Sequence, residues 1–231
     1  MFIVAEIGVN WGGDIDLLEK MLINSKDAGF DSVKFQSFNE KIIGDHPRKD
    51  ELLASSITEK NIKKINTLAK NFNIDWFSTP MFPEAVDFLQ PYVERFKIRE
   101  LDGRLLLQNK ITTLLEKVLE TKKEIIVSVN QVPNLSEFKK NDQIKWLYCV
   151  PKYPCSVDDI DFKNIKNFNG YSNHCVDSNA IIEVAKMGAE IIEIHVTSDK
   201  KGNFIDNPVS FDFIECKKIV NKIKELKNNQ M

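Results

Sequence analysis

Six short apolar runs in this chain each stop on a polar residue capable of chemistry. FIVAE reaches Glu6, SVK reaches Lys34, WFST reaches Thr79, RFK reaches Lys97, GYSNH reaches His174 and IIEIH reaches His195. The interior of a buried parallel strand has no use for a carboxylate, an ammonium or an imidazole. At the C-terminal end of the strand, the same residue projects into the mouth of an α/β barrel, where such folds place their active sites. The pattern therefore reads as an enzyme.

Lys34 and Lys97, with Thr79 between them, suggest an anion site: ammonium groups bind phosphate or carboxylate as point charges, and a hydroxyl adds a directional donor. A Schiff-base lysine is the rival, and the residue types alone leave both open. His174 and His195 are two of only three histidines and are expected on adjacent strands, which suits a metal pair. Glu6, Glu193 and Asp206 are candidate oxygen ligands or bases. Glu193 precedes His195 by two residues, so it shares that strand face and is expected to orient the histidine or to stand as a supporting partner behind the ligands. His46 sits in a polar loop and is given no metal role. Cys149 reads as strand interior and Cys216 as a helix-face residue, whereas Cys155 and Cys175 lie near strand ends and are expected to flank the site. Trp11, in the loop NWGGD, reads as a stacking platform for a sugar or a lid over the barrel.

The elements that must position these residues alternate from end to end. Strands are expected at FIVAEIGV, DSVKFQSF, DWFSTP, VERFKI, EIIVSV, KWLYCV, GYSNH and EIIEIHV. Between them the periodicity predicts helices over DIDLLEKMLINSKDAGF, from near Thr58, over PEAVDFLQ, as one long helix over RLLLQNKITTLLEKVLET, and over SNAIIEVAKMGA with Ser178 as cap. NLSEFKK reads as a short helix, VDDIDFKNIKNF as a poorly periodic stretch with room for another, and GDHPRKDELLASS as a polar loop. The last helix is FDFIECKKIVNKIKEL, with KIKELKNNQM fraying into a polar tail. Eight strand–helix units imply a parallel sheet closed into a single-domain (β/α)8 TIM barrel. No GxGxxG follows the first strand, which argues against a dinucleotide-binding sheet.

The 231 residues, 42% apolar and 29% charged, suit one soluble α/β domain. A net charge of −2 without a basic stripe excludes a nucleic-acid binder, and no apolar run approaches the ~20 residues of a membrane span. The four cysteines lack CxxC spacing and no signal peptide is read, so reduced thiols and a cytoplasmic location are expected.

The ordered segments AEIGVNWGGD, DSVKFQSF, FSTPM, FKI, LYCVPKYPC, GYSNHC and IIEIHVT resemble the barrel domain of the sialic acid synthase family, which includes the N-acetylneuraminate, legionaminate and pseudaminate synthases. The similarity runs from about residue 3 to about residue 215. It implies condensation of phosphoenolpyruvate with an aldose or amino-sugar acceptor, yielding a 2-keto acid and phosphate for surface glycans. The cofactor implied is a divalent metal, manganese first, with magnesium or cobalt as alternatives. On this resemblance Lys34, Thr79, Lys97, Tyr153 and Ser172 hold phosphoenolpyruvate, and His174 and His195 ligate the metal. Glu6, Gln36 and Asp206 surround metal and acceptor, with Glu6 and Asp206 as the candidates to activate water. The lysine question thereby resolves toward anion binding.

Departures from the family pattern are equally specific. KIRELD stands where the family reads KIGSGE, which puts Arg99 and Glu100 in a phosphate-side turn and Asp102 where a sugar-binding glutamate is expected. Arg99 either replaces lost phosphate contacts or sits beside a Glu100 that repels the anion. Ser128-Val129-Asn130 replaces STG, Pro151 replaces an asparagine, and NWGG replaces NHNG. The family's C-terminal antifreeze-like domain, which helps bind the sugar across a dimer, is absent from the 231 residues. The chain is then expected to take sugar contacts from a separate protein, as a homodimer or with a partner subunit, to recognise a different acceptor, or to lack that recognition. Two rival readings remain: an aldolase or lyase acting on a related 2-keto acid, and a degenerate barrel serving as a binding subunit.

Overall fold

The computed structural model describes residues 1–228. Eight parallel strands follow one another around a closed barrel: β1 (Phe2–Glu6), β2 (Ser32–Ser37), β3 (Asp75–Pro80), β4 (Arg95–Ile98), β5 (Glu124–Val129), β6 (Ile144–Cys149), β7 (Gly170–Asn173) and β8 (Ile191–Thr197). Pairing of β1 with β8 closes the ring. The single-domain TIM barrel expected from the alternation is what the chain forms. One strand escapes sequence reading: the two-residue β9 (Phe211–Asp212) adds to the end of β8. It is too short to carry a period.

Helices cover the outside of the ring. α1 (Ile15–Ala28) starts at Asp14, whose carboxylate accepts from the Asp16 and Leu17 amides, and stops at Gly29 in the left-handed region. Its buried stripe is Leu18, Met21, Leu22, Ser25 and Ala28, while Leu17 is only partly buried. The segment read as a polar loop instead holds a short helix, α3 (Lys49–Ser55), which packs on another just before it, α2 (Glu40–Ile43). α4 (Ile62–Asn71) begins later than the Thr58 signal, because residues 58–61 form a turn in which Asn61 accepts from the Thr58 amide.

α5 (Pro83–Leu89) opens on a proline, whose fixed φ suits a first turn. The long helix expected after β4 is two helices, α6 (Glu100–Leu107) and α7 (Thr113–Glu120). Asn109 adopts φ 55° and Thr112 caps the new start, so the axis breaks between them. A 3-10 turn spans Glu137–Lys140 where NLSEFKK was read as a short helix, and α8 (Phe162–Ile165) is the short helix in the poorly periodic stretch. α9 (Ser178–Lys186) is capped by Asp177 rather than Ser178. α10 (Phe213–Asn228) is the last helix, and the expected polar tail at 229–231 lies outside the described residues.

Strand register sets what meets in the interior. Glu6 is in register with Lys34 on one side and with His195 on the other, and Ser172 is in register with Glu193. Lys34 lies inside β2, three residues before its end; the stagger of a closed barrel brings it level with the end of β1. Gly170 permits the β7–β8 contact, since a Cβ there would come within 1.8 Å of the Ile191 carbonyl oxygen. Trp11 is neither platform nor lid. It is buried, with its indole N–H donating to the Ser55 carbonyl at 2.9 Å.

Candidate active site

The barrel mouth holds a cavity of about 200 Å³. At its base two buried ammonium groups meet buried carboxylates. Lys34 Nζ lies 2.8 Å from Glu6 Oε1 and 3.7 Å from Glu193 Oε2. Lys97 Nζ donates to both Glu193 oxygens at 2.8 Å, and Ser172 Oγ donates to Glu193 Oε1 at 2.8 Å. Gln36 Nε2 donates to Glu6 Oε1 at 2.8 Å, and Lys34 reaches Thr79 Oγ1 at 3.5 Å. Glu193 thus holds the two lysines together, and the expectation that it orients His195 is corrected. Nothing in IIEIH distinguishes a carboxylate that serves its neighbouring histidine from one that serves lysines on β2 and β4; only ring closure brings those strands opposite.

Charge states follow from burial set against pairing. Burial would raise the Glu193 carboxyl, but Lys34 and Lys97 outweigh it and hold the group well below the usual glutamate value. Burial raises Glu6, against the pull of Lys34, and ionised Glu193 raises it further. Lys34 is raised: burial opposes the charge, and Glu193 and Glu6 restore it. Lys97 is lowered, because burial outweighs Glu193 and the Lys34 charge adds to it.

The two imidazoles stand across from this cluster, their ring centroids 5.4 Å apart. His174 Nδ1 is 2.9 Å from the Val150 carbonyl, and burial, with His195 beside it, lowers its pKa to about 4, so the ring is neutral at pH 7. Tyr153 packs edge-on against both rings, with its hydroxyl 3.2 Å from His195 Nδ1. Asp206 Oδ2 is 3.6 Å from the same nitrogen. Burial would raise Asp206, but His195 and Tyr153 outweigh it and keep the carboxylate ionised. Asp206 does not line the cavity; it stands behind His195 and Tyr153.

Asn10, which sequence reasoning passed over, fixes that aspartate. Its buried side chain donates to the Val196 carbonyl and to Ser210 Oγ and accepts from the Asp206 amide. Gly8, at φ 52°, leaves the room a Cβ would take 3.0 Å from both Asp206 Oδ2 and Glu6 Oε1. The only signal for Asn10 was its place in a glycine-flanked loop after β1.

Among the described residues, no group of three or more His, Cys, Asp or Glu side chains converges in a metal-holding arrangement. A two-imidazole donor set remains, beside Glu6 Oε2, which is buried without a hydrogen-bond partner. Neutral imidazole nitrogens are common metal donors, so His174 and His195 are the residues that would hold the divalent metal the resemblance implies, with water or substrate at its other positions.

Glu6, Lys34, Gln36, Thr79, Lys97, Arg99, Ser128, Tyr153, Ser172, His174 and His195 all border this cavity. Asp102 does not. Its carboxylate accepts from Arg99 Nε at 2.7 Å, and Arg99 in turn borders the cavity. Glu100 lines the cavity but is paired with Arg104 one helical turn on. Cys149, read as strand interior, lines the cavity, and burial pushes its thiol up to about 12. Cys155 and Cys175 form a backbone bridge with each other and do not line it.

Comparison with known proteins agrees with this architecture. The NeuB family pattern matches residues 21–230. An uncharacterized protein of Methanocaldococcus jannaschii is 32% identical, covering 96% of this chain and 70% of its own length. The N,N'-diacetyllegionaminic acid synthase of Legionella pneumophila is 28% identical, over 97% of this chain and 71% of its own. Among solved structures, the N-acetylneuraminic acid synthetase of Leptospira borgpetersenii superposes with a TM-score of 0.86 at 26% identity, covering 99% of this chain and 84% of that one. With the barrel, its polar mouth and these relatives in view, the chain belongs to the NeuB family and is an enzyme of its synthase class.

Proposed function

We propose that this enzyme condenses phosphoenolpyruvate with a sugar aldehyde to give a 3-deoxy-2-keto acid and phosphate for glycan biosynthesis. The observation that carries the reading is the pair of buried ammonium groups, Lys34 and Lys97, in one cavity with two imidazoles. Lys34, Lys97, Thr79 and Ser172 bind the phosphate and carboxylate of the enol phosphate. Lys97 donates two bonds to Glu193, and with the Lys34 ammonium beside it the pair offers donors to an anion. Ser128 Oγ, buried in the cavity wall without a protein partner, offers a further hydrogen bond to substrate.

In the reaction the C2–C3 π pair of the enol attacks the aldehyde carbon, and the aldehyde oxygen takes a proton. Water adds its oxygen at C2 and loses one proton; the C2–O bond to phosphate then breaks as the new C2 hydroxyl passes its proton to the departing phosphate, leaving the ketone. Glu6 is the better-placed proton acceptor. Its Oε2 is unpaired, and its raised pKa brings it nearer the working range than ionised Asp206. Asp206 and Tyr153 hold His195 in place. A divalent metal, when bound by His174 and His195, would polarise the aldehyde carbonyl as a Lewis acid.

The test is phosphate release from phosphoenolpyruvate with a panel of aldoses, with manganese or EDTA, alongside metal content. The wild type is expected to release phosphate and to lose activity in EDTA. His195→Ala is expected to lose bound metal and to slow phosphate release at least ~100-fold, the range of removing a key electrostatic group. Phosphate release and metal content that survive His195→Ala overturn the metal assignment. Borohydride trapping of pyruvate on Lys97, with turnover that releases no phosphate, overturns the condensation.

A further inference from the structure

Two surfaces outside the barrel-mouth cavity complement each other in shape and in charge. The first is a groove of about 440 Å³ beside the chain leaving β2 and the chain leaving β3. Phe38, Leu53, Phe82 and Phe88 supply its apolar lining, with the Phe82 and Phe88 ring centroids 6.3 Å apart. Its charged lining is Glu40, Glu59 and Glu84 against a single cation, Lys60. Lys49 pairs with Glu40, whereas Glu59 and Glu84 are exposed and, among the described residues, make no ion pair.

The second surface is the first half of α10. Ile214 is 71% exposed there, and Lys217, Lys218 and Asn221, all exposed, follow at the helical spacing that shares its face. Lys222 extends the same face one turn beyond Lys218. Asp27 of α1 is the one carboxylate lining this patch, and among the described residues Lys217, Lys218 and Lys222 make no ion pair. The patch is a cationic ridge with an apolar knob, the counterpart of an acidic groove with an apolar lining.

A single exposed isoleucine says nothing by itself. Its meaning comes from a matching groove on the same chain, because an apolar group that fits a pocket elsewhere on its own molecule makes a contact between copies. The two surfaces do not meet within one chain. α1 stands between them, packed against α10 on one side and on the other against α4, the helix that follows groove residues 56–60. The groove has room for the side chain, since a cavity of ~150 Å³ already holds a benzene ring. Lysine stems can lie on the aromatic edges while their ammonium heads reach the carboxylates.

We infer that this groove receives the α10 ridge of a second copy of the chain, with Ile214 against the phenylalanines and Lys217 and Lys218 against Glu59 and Glu84. The contact does not depend on the reaction proposed above, because none of these residues borders the barrel-mouth cavity.

The test is sedimentation velocity of the full chain over a dilution series, at low and at high salt. The ridge variant is Lys217→Glu with Lys218→Glu, and the groove variant is Glu59→Lys with Glu84→Lys. All four side chains are exposed, so the fold is kept, which melting temperature checks. The wild type is expected to self-associate reversibly, and less at high salt. Each variant alone is expected to raise the Kd of association at least about tenfold, and Ile214→Asp to do so at either salt. An equimolar mixture of the ridge and groove variants is expected to associate again, since each then carries the charge that the other's surface requires. A wild type that stays monomeric over the series, or whose association survives both variants, overturns the inference. Loss of association in both variants without its return in the mixture also overturns it, because groove and ridge are then not each other's partner.

Discussion

Glu193 is where the chemistry of this barrel is concentrated. It accepts from Lys97 through both oxygens and from Ser172, and it lies within ion-pair reach of Lys34. Removing one member of a buried charge cluster strands the others without solvent or partner, a loss of about 3–5 kcal/mol. Glu193→Leu is therefore expected to cost about that much in urea unfolding. The double substitution Glu193→Leu with Lys97→Met is expected to cost less than the first change alone, because it removes the stranded ammonium as well. A double variant whose loss equals or exceeds the sum of the two singles would show that packing, not counter-charge, sets the cost. From the sequence, Lys34, Lys97, His174 and His195 were legible because a charge or an imidazole in an apolar run is anomalous by itself. The partner of each was not, since pairing across the barrel depends on which strands face one another.

Strands were more legible than helices. A strand buried on both faces favours an apolar run, and β1 (FIVA), β5 (IIV) and β6 (WLYC) each hold one. The break between α6 and α7 was not legible, because QNKIT has tolerable helix propensity and the interruption comes from a left-handed Asn109 and the Thr112 cap. The loop after β6, which carries Tyr153 to the imidazoles, is held by Asp159. Lys152, then the amide and hydroxyl of Ser156, lower this carboxyl from 3.8 to about 2. A depressed folded-state pKa gives stability that is present above pH 3.8 and lost as pH falls through about 2. Asp159→Asn is accordingly expected to melt below the wild type at neutral pH, with the gap closing as melting curves are taken from pH 4 down to pH 2. A gap that stays constant over that range sinks the assignment.

At the scale of the molecule, closure leaves reactive chemistry at one end and shields the rest. All four cysteines are free and buried, and burial pushes Cys149 up to about 12 and Cys155 up to about 11. The native protein is expected to leave all four thiols unmodified by a thiol reagent at pH 8 and to yield all four once unfolded in guanidinium. Prompt native reaction at Cys149 would mean that the cavity admits reagent and that the thiol is activated. No helix among the described residues is long and apolar enough to cross a membrane.

Taken alone, the sequence determined the eight-fold strand–helix alternation and the chemical types set at strand ends, because both are local consequences of burial and periodicity. Tertiary structure decided which of those types meet. The stagger of the ring set Glu6 against Lys34 and His195 and turned Glu193 toward the lysines, and Asp102 became a partner for Arg99. Register between strands far apart in the chain is a property of the closed barrel, and no single strand carries it.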